Sequence, residues 1–144
     1  MKAKSTKLLI LKNLRSNARK SFTDISRATK IPVTTVFDNY HKFLNKKVIT
    51  RHTSLIDFKQ LGYYYRSFLF INARCKSELL SFLCEHRNVN SISRISTYDF
   101  FIDTVFPGLK EFHFFLDEVR DFGLMKLEVH EVIEHIKKEE FFCD

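Results

Sequence analysis

The hydrophobic pattern of this 144-residue chain changes its period near Gly62, and this change constrains the fold more than any other feature. Before Gly62, apolar residues recur with the three-to-four spacing of helices. After it, alternating aromatic segments typical of strands are interleaved with helical segments. The first part predicts helices over residues 6–15, 23–29 and from Val33 onward, with Leu8, Leu11 and Leu14 facing inward and Thr23 as an N-cap. A β-prone run over residues 48–56 follows them.

The second part of the chain predicts six elements in the order β-α-β-β-α-β. The strands are expected in YYYRSFLFINA, VNSISRIS, YDFFIDTVF and LMKLEVHEVIEHI, and the helices in KSELLSFLCEHR and GLKEFHFFLDEVRDFG. Three short helices followed by a β-run is the winged helix-turn-helix order. The predicted fold is therefore α+β, with a winged helix-turn-helix DNA-binding domain over residues 1–60 and a ferredoxin-like domain over 61–144.

The two parts carry charges of opposite sign. Residues 1–60 hold fourteen Lys and Arg residues against three Asp residues, a net charge of +11, whereas residues 61–144 have a net charge of −4. Solubilising charge is the simpler explanation of this excess. An excess of one sign in sixty residues is instead typical of a surface that binds a polyanion.

The third predicted helix exposes side chains that can read DNA. Val36, Tyr40 and Phe43 form its inward stripe, so the opposite side is polar and poor in acid. Hydroxyl and amide groups near the start of such a helix can contact base edges, and later basic groups can contact phosphates. The predicted DNA-binding residues are Thr34, Thr35, Asp38, Asn39, Lys42, Lys46 and Arg51. The alternative is an ordinary amphipathic helix with a solvated side.

Two strands of the second part have aromatic residues on both faces. Phe68 and Phe70 lie on the face opposite Leu69, and Phe101 lies opposite Phe100. Two helices cover only one face of a ferredoxin-like sheet, so something else should cover the second. A bed for a ligand or cofactor and a second subunit are the two explanations. We favour a homodimer, because continuous apolar area needs no specific polar groups.

The composition argues against several other classes of protein. The three cysteines form no CxxC pair, which favours a reducing compartment. No apolar run approaches the ~20 residues that span a membrane, and no signal-peptide cleavage site is apparent, so a cytoplasmic location is expected. The chain has no GxSxG, HExxH or Gly-rich phosphate loop. We interpret His113 as a partly buried structural residue and Cys84 as core packing, and we predict no catalytic site, metal or cofactor.

The order of motifs resembles the Lrp/AsnC (leucine-responsive, feast/famine) transcription regulators. The resemblance runs from Ile10 to about Lys137, through ILKNLRSNARKSFTDIS, IPVTTVFDNYHKFLNKKVI, LIDFKQLGY and the βαββαβ part. It implies double-stranded DNA as a partner, assembly into dimers or higher oligomers through the second domain, and no membrane.

The sequence departs from the family pattern at informative positions. Lys30 and Lys47 stand where the family usually has Gly, so both are expected to need left-handed backbone. In the family, a loop in the second domain helps to line an amino-acid effector site, and its matching residues here are Ser96, Thr97, Tyr98 and Asp99. The loop glycine of the family is missing here. The chain is therefore expected to be a classical amino-acid sensor, a regulator that does not respond to amino acids, or a regulator that binds another ligand.

An enzyme of the same two-domain fold is the alternative function. The chain resembles the sirohaem decarboxylases as well, which place His and Arg around a tetrapyrrole. The segment SRISTYDFF lacks the His of their characteristic stretch. Absorbance spectra with and without added tetrapyrrole would distinguish the two functions.

Overall fold

The computed structural model describes the backbone of residues 2–140 and the side chains of residues 5–140, so Cys143 lies outside the described residues. The chain divides into two compact units, one holding residues up to Leu55 together with the segment from Ile136, the other Ile56–His135. An ion pair between Arg15 and Glu139, at 2.6 Å, ties the C-terminal segment into the first unit. The division comes before residue 60, where the sequence predicted a boundary, because Phe58 accepts a hydrogen bond from the Tyr63 amide of the second unit.

Three helices form the first unit: α1 (Lys2–Ser16), α2 (Phe22–Thr29) and α3 (Val33–Asn45). They pack around one core, whose buried members are Ile10, Leu14, Ile25, Val36 and Phe43. The inward face predicted for α1 is partly wrong. Leu8 is 42% exposed, whereas Ile10, one turn before Leu14, is fully buried.

The start of α2 differs from the prediction. Ser21, and not Thr23, is the N-cap: its hydroxyl oxygen accepts from the Asp24 amide at 3.1 Å and donates to the Asp24 carboxylate at 2.6 Å. This reciprocal arrangement satisfies a backbone amide that the first turn leaves without an intrahelical partner. The cap therefore adds one residue to the front of the predicted helix.

The segment after α3 contains no strand among its described residues, so the strand predicted over 48–56 is wrong. Lys47 takes a left-handed φ of 53°, and the amides of Val48 and Ile49 both donate to the Phe43 carbonyl, at 2.8 and 3.2 Å. These amides close the end of α3 and cannot begin a ladder. A β-prone run also needs a partner strand, and the first unit offers none in the described residues.

The second unit is a four-stranded antiparallel sheet with two helices. The predicted order of its elements is confirmed: β1 (Tyr65–Ala73), α4 (Lys76–Glu85), β2 (Val89–Ser93), β3 (Phe100–Phe106), α5 (Leu109–Arg120) and β4 (Leu124–Glu131). The strands lie in the order β2-β3-β1-β4, and Leu69 pairs with Ile102 at the centre. Alternate residues of β1, including Leu69 and Ile71, are buried against α4 and α5.

The other face of this sheet carries a second cluster of rings. Phe68, Phe70 and Phe101 are half-buried, and the Phe101 centroid lies 5.2 Å from Phe68 and 5.1 Å from Phe70. Beside them, Arg66 forms two hydrogen bonds with the Asp103 carboxylate, at 2.8 and 2.5 Å. The prediction that both faces of these strands carry aromatic residues is confirmed.

Two side chains predicted to be buried are exposed. The buried side of α5 consists of Phe112, Phe115, Leu116 and Val119, which leaves His113 in solvent. On α4, Leu79 and Leu83 are the buried positions, so the neighbouring Cys84 is an exposed thiol. Both errors have one cause, since a helix buries about one residue in three and adjacent residues differ in direction by roughly 100°.

Within the described part of the chain, no helix combines the length and apolar character needed to cross a bilayer.

Candidate nucleic-acid interface

A three-residue turn, Lys30–Pro32, connects α2 to α3. Lys30 takes φ 60° and ψ 20°, so the left-handed backbone expected at this position is confirmed. The Thr29 hydroxyl donates to the Ile25 carbonyl at 2.7 Å and accepts from the Ile31 amide at 3.4 Å. Pro32 then precedes the first turn of α3, a position that needs no amide donor. The turn is short enough to hold the start of α3 next to α2, as in helix-turn-helix units.

The exposed side of α3 contains the residues predicted to read bases, but to different degrees. Thr34, Asp38 and Lys42 are exposed and follow one another at intervals of one helical turn. Thr35 and Asn39 lie beside them and are partly buried; the Asn39 amide donates to the Thr35 carbonyl at 2.8 Å. Asn39 retains its carbonyl oxygen and one amide hydrogen for a ligand, which is enough for a two-point contact.

The basic candidates lie at and beyond the end of α3. Lys46 is the C-cap residue and is exposed, and Arg51 is exposed in the following irregular segment. That segment is attached to α3 through the Tyr40 hydroxyl, which lies 3.1 Å from His52 Nε2, and the two rings stack at 5.9 Å. Lys42, Lys46 and Arg51 thus follow α3 and its continuation, where they can contact successive phosphates.

The two opposite charges of Asp24 and Arg27, both on α2, largely cancel each other. Asp24 forms an ion pair with Arg27 at 3.0 Å. The Ser21 hydroxyl and then Arg27 lower the pKa of Asp24, against the opposing effect of desolvation. The carboxylate therefore stays ionised at neutral pH and is matched by a neighbouring guanidinium. The excess positive charge of the first sixty residues is carried mainly by other, solvent-facing side chains.

Phe37 is a further candidate for contact with DNA, and it is not among the DNA-binding residues predicted from the sequence. Its side chain is 49% exposed on α3, one turn before His41 and one turn after Val33, which is itself 43% exposed. Its ring lies edge-on to Phe22 at 5.8 Å and 4.3 Å from the His41 ring. The signal that could have found it is its position off the Val36–Tyr40–Phe43 stripe, where an apolar residue is unexpected.

The loop over residues 96–99 is held by contacts with other residues of the second unit. The Tyr98 hydroxyl donates to Glu128 at 2.5 Å and accepts from Lys126 at 2.7 Å. The same hydroxyl is the main cause of a lowered pKa at Glu128 and a raised pKa at Lys126. Asp99 accepts from the Ala73 amide and pairs with Lys76 at 2.5 Å, and the Lys76 hydrogen bond is the main cause of its lowered pKa. Ser96 and Thr97 are exposed.

Solved structures share this fold over nearly the whole chain. A transcriptional regulator from Neisseria meningitidis, solved in complex with L-Met, has a TM-score of 0.85 and 16% identity, covering 92% of this chain and 91% of its own. AsnC of E. coli has a TM-score of 0.79 and 19% identity, covering 92% of this chain and 93% of its own. LrpC of B. subtilis has a TM-score of 0.84 and 16% identity, covering 91% and 94%.

This chain has the fold of the AsnC and LrpC regulators. The resemblance to Lrp/AsnC regulators that was seen in the sequence motifs is thus confirmed at the level of the fold. No protein-family model matches the sequence, and no curated protein matches it. The likeness therefore rests on structure, and the roles of Thr34 to Arg51 and of the loop at 96–99 stay predictions.

Proposed function

We propose that this chain is a cytoplasmic DNA-binding transcription regulator of the Lrp/AsnC kind, which acts as a dimer or higher oligomer. The observation that carries the proposal is the exposed side of α3, where Thr34, Asp38 and Lys42 stand in a row within a part of the chain whose net charge is +11. In helix-turn-helix proteins the second helix of the pair lies in the major groove with its first residues on base edges. The fold shared with solved regulators supports the same function.

The proposed roles follow the position of each side chain on α3. Thr34, Asp38 and Asn39 contact base edges: the hydroxyl and amide donate and accept, and the carboxylate accepts from a cytosine amino group. Thr35 lies beside them and contacts either a base edge or the sugar-phosphate backbone. The remaining candidates, Lys42, Lys46 and Arg51, contact phosphates and fix the position of the helix on the duplex.

We propose that the second unit holds two copies of the chain together. Its βαββαβ order and β2-β3-β1-β4 sheet support a ferredoxin-like domain. The half-buried rings of Phe68, Phe70 and Phe101 supply apolar area for a partner copy. A two-fold dimer would place two α3 helices in successive major grooves of a pseudo-palindromic site.

Two alternatives for regulation stay open in this proposal. The loop over residues 96–99 can accept a small ligand as its counterpart does in Lrp/AsnC regulators, or it can be a fixed element without that response. Thermal unfolding with each free amino acid, L-Met included, distinguishes them. A rise in Tm that grows with ligand concentration indicates a sensor, because a ligand stabilises the state it binds.

The proposed function is tested by selecting bound sequences from a random duplex pool with the full-length protein. We expect enrichment of a sequence with approximate two-fold symmetry and half-sites about one or two helical turns apart. Recovery of a pool that is still random would contradict sequence-preferring binding. Absence of any DNA retention at low salt would contradict DNA binding altogether.

A further inference from the structure

Phe37 is an exposed apolar side chain on the helix proposed to enter the major groove. It is not a member of the buried core of the first unit, whose residues on α3 are Val36 and Phe43. Half of its surface is in solvent, so its exposure costs free energy that a polar residue at the same position would not. The buried core of the three helices therefore does not require a phenyl group at this position.

The ring is nevertheless held in one place. Phe22 meets it edge-on at an interplanar angle of 85°, and the His41 ring lies 4.3 Å away. Aromatic contacts of this kind restrict the rotation of a side chain that solvent alone would leave mobile. The exposed part of the Phe37 ring is thus presented from a fixed direction.

Phe37 lies beside the exposed polar row of α3, about 60° around the helix from Thr34 and about 100° from Asp38. Val33, Phe37 and His41 form a row at one-turn intervals, adjacent to the polar row of Thr34, Asp38 and Lys42. A helix that presents Thr34 to the major groove therefore directs Phe37 into the same groove. The surrounding charge, +11 over the first sixty residues, favours nucleic acid over an apolar protein surface as the occupant.

A phenyl group can recognise one feature of the major groove. The base edges there carry hydrogen-bond donors and acceptors, and thymine alone adds a C5-methyl group. A phenyl ring has no donor or acceptor for the former but packs well against the latter. We infer that Phe37 determines sequence specificity by contacting a thymine methyl group in each half-site of the bound DNA. This inference rests on the proposed function of the chain as a DNA-binding regulator.

Replacement of thymine by deoxyuridine tests this contact, because it removes the methyl and leaves the hydrogen-bonding edge intact. The probes are the duplex recovered by the selection experiment and versions of it with one thymine replaced in each half-site. We expect one of these replacements to weaken binding by wild-type protein roughly fourfold per half-site, the factor that corresponds to one methyl-sized group. The Phe37→Ala protein should bind the thymine and uracil versions of that duplex equally.

Phe114→Ala provides a matched control, since Phe114 is a similarly exposed phenylalanine, 59% exposed, on α5 of the second unit. It should retain the fourfold penalty. The measurement on wild-type protein stands even if Phe37→Ala folds poorly. A recovered site without thymine, wild-type binding that no uracil replacement weakens, or an equal penalty in wild type and Phe37→Ala would each overturn the inference. Failure to bind DNA at all would overturn the proposed function and this inference together.

Discussion

Lys46 and Lys47 are neighbours with the same charge, yet their backbones lie in opposite halves of φ space, at −86° and +53°. Lys47 donates its amide to the Leu44 carbonyl at 3.0 Å, and Val48 donates to Phe43 at 2.8 Å. These two hydrogen bonds are those of a Schellman motif, which ends a helix with a left-handed residue. The residue best suited to that position is glycine, because a Cβ atom disfavours the left-handed region.

We expect Lys47→Gly to increase the free energy of unfolding by about 1 kcal/mol, since it removes the left-handed penalty. Lys46→Gly is the matched control, because it removes the same charge from a residue whose φ is ordinary. It should lower the free energy of unfolding by about 0.5–1 kcal/mol through the greater entropy of the unfolded chain. Urea denaturation measures both. A decrease in the free energy of unfolding with Lys47→Gly would contradict this expectation. It would show that the Lys47 side chain stabilises the fold by more than its left-handed backbone destabilises it.

The two left-handed lysines show what the sequence could predict. Lys30 and Lys47 were identified because each ends a helix at a position where the family usually has glycine, and both have positive φ. The order of elements after Gly62 was predictable for a similar reason, since alternation and helical spacing follow directly from which faces are buried. At these positions the local pattern was sufficient, because the backbone conformation there depends mainly on neighbouring residues.

Features that depend on distant partners were predicted less well. The run over 48–56 has strand propensity but no partner strand, and propensity alone does not make a sheet. Likewise, the sequence could not show that Asn39 would donate to Thr35 or that Phe37 would rest between Phe22 and His41. The contact between Phe22 and Phe37 depends on the angle between α2 and α3, and the two contacts within α3 depend on which rotamer each side chain adopts.

The affinity for DNA should fall steeply with salt. Each phosphate neutralised contributes about 0.9 to the slope of log affinity against log salt. Lys42→Ala and Arg51→Ala each remove an exposed charge from α3 or its continuation, so each should reduce that slope by roughly 1 for all sequences. Lys110→Ala, on α5 of the second unit, is the control and should leave it unchanged. Fluorescence anisotropy across a salt series makes the measurement, and a salt-independent affinity would contradict an electrostatic interface.

The dimer should depend on the ring cluster of the second sheet face. Phe70→Glu places a carboxylate beside Phe101, where a partner copy would bury it at a cost of several kcal/mol. We expect light scattering of the full-length protein to show a dimer for wild type and a monomer for the variant, with circular dichroism as a check on folding. Phe114→Glu, on the exposed side of α5, should stay dimeric. A folded, dimeric Phe70→Glu protein would mean that this face is not the interface.

Stability should decrease with acidification near pH 6 because of His86. The centroid of its ring lies 4.7 Å from that of Phe115, and its Nδ1 accepts a hydrogen bond from the backbone amide of Asn88 at 3.2 Å. Burial lowers the pKa of His86; Glu118 opposes this effect and Arg87 adds to it. The unfolded chain therefore binds the proton more readily, and stability present above the unfolded pKa of about 6.5 is lost as the pH falls through the folded value.

His86→Gln should make the free energy of unfolding less dependent on pH between about 7.5 and about 5.5. Chemical denaturation at several pH values gives the comparison. Three carboxyl groups also have lowered pKa values, those of Asp24, Asp99 and Glu128. They do not interfere with this measurement, because their pKa values in the unfolded chain lie near about 4 and their contribution to stability is lost only at lower pH. An identical pH profile for the variant would assign the effect to another group.

Asn39→Ala separates base reading from attraction to the backbone. Asn is well shaped for a two-point contact with adenine, and Asn39 keeps its carbonyl oxygen and one amide hydrogen for it while the other bonds to Thr35. We expect the variant to lose roughly 1–3 kcal/mol on the selected sequence and little on scrambled DNA. Stability should change little, because the lost hydrogen bond, worth about 1 kcal/mol, is offset by the better helix propensity of Ala. Competition binding on both duplexes makes the measurement. Equal losses on the two would mean that α3 occupies the groove without reading it through Asn39, and that specificity comes from other contacts or from DNA shape.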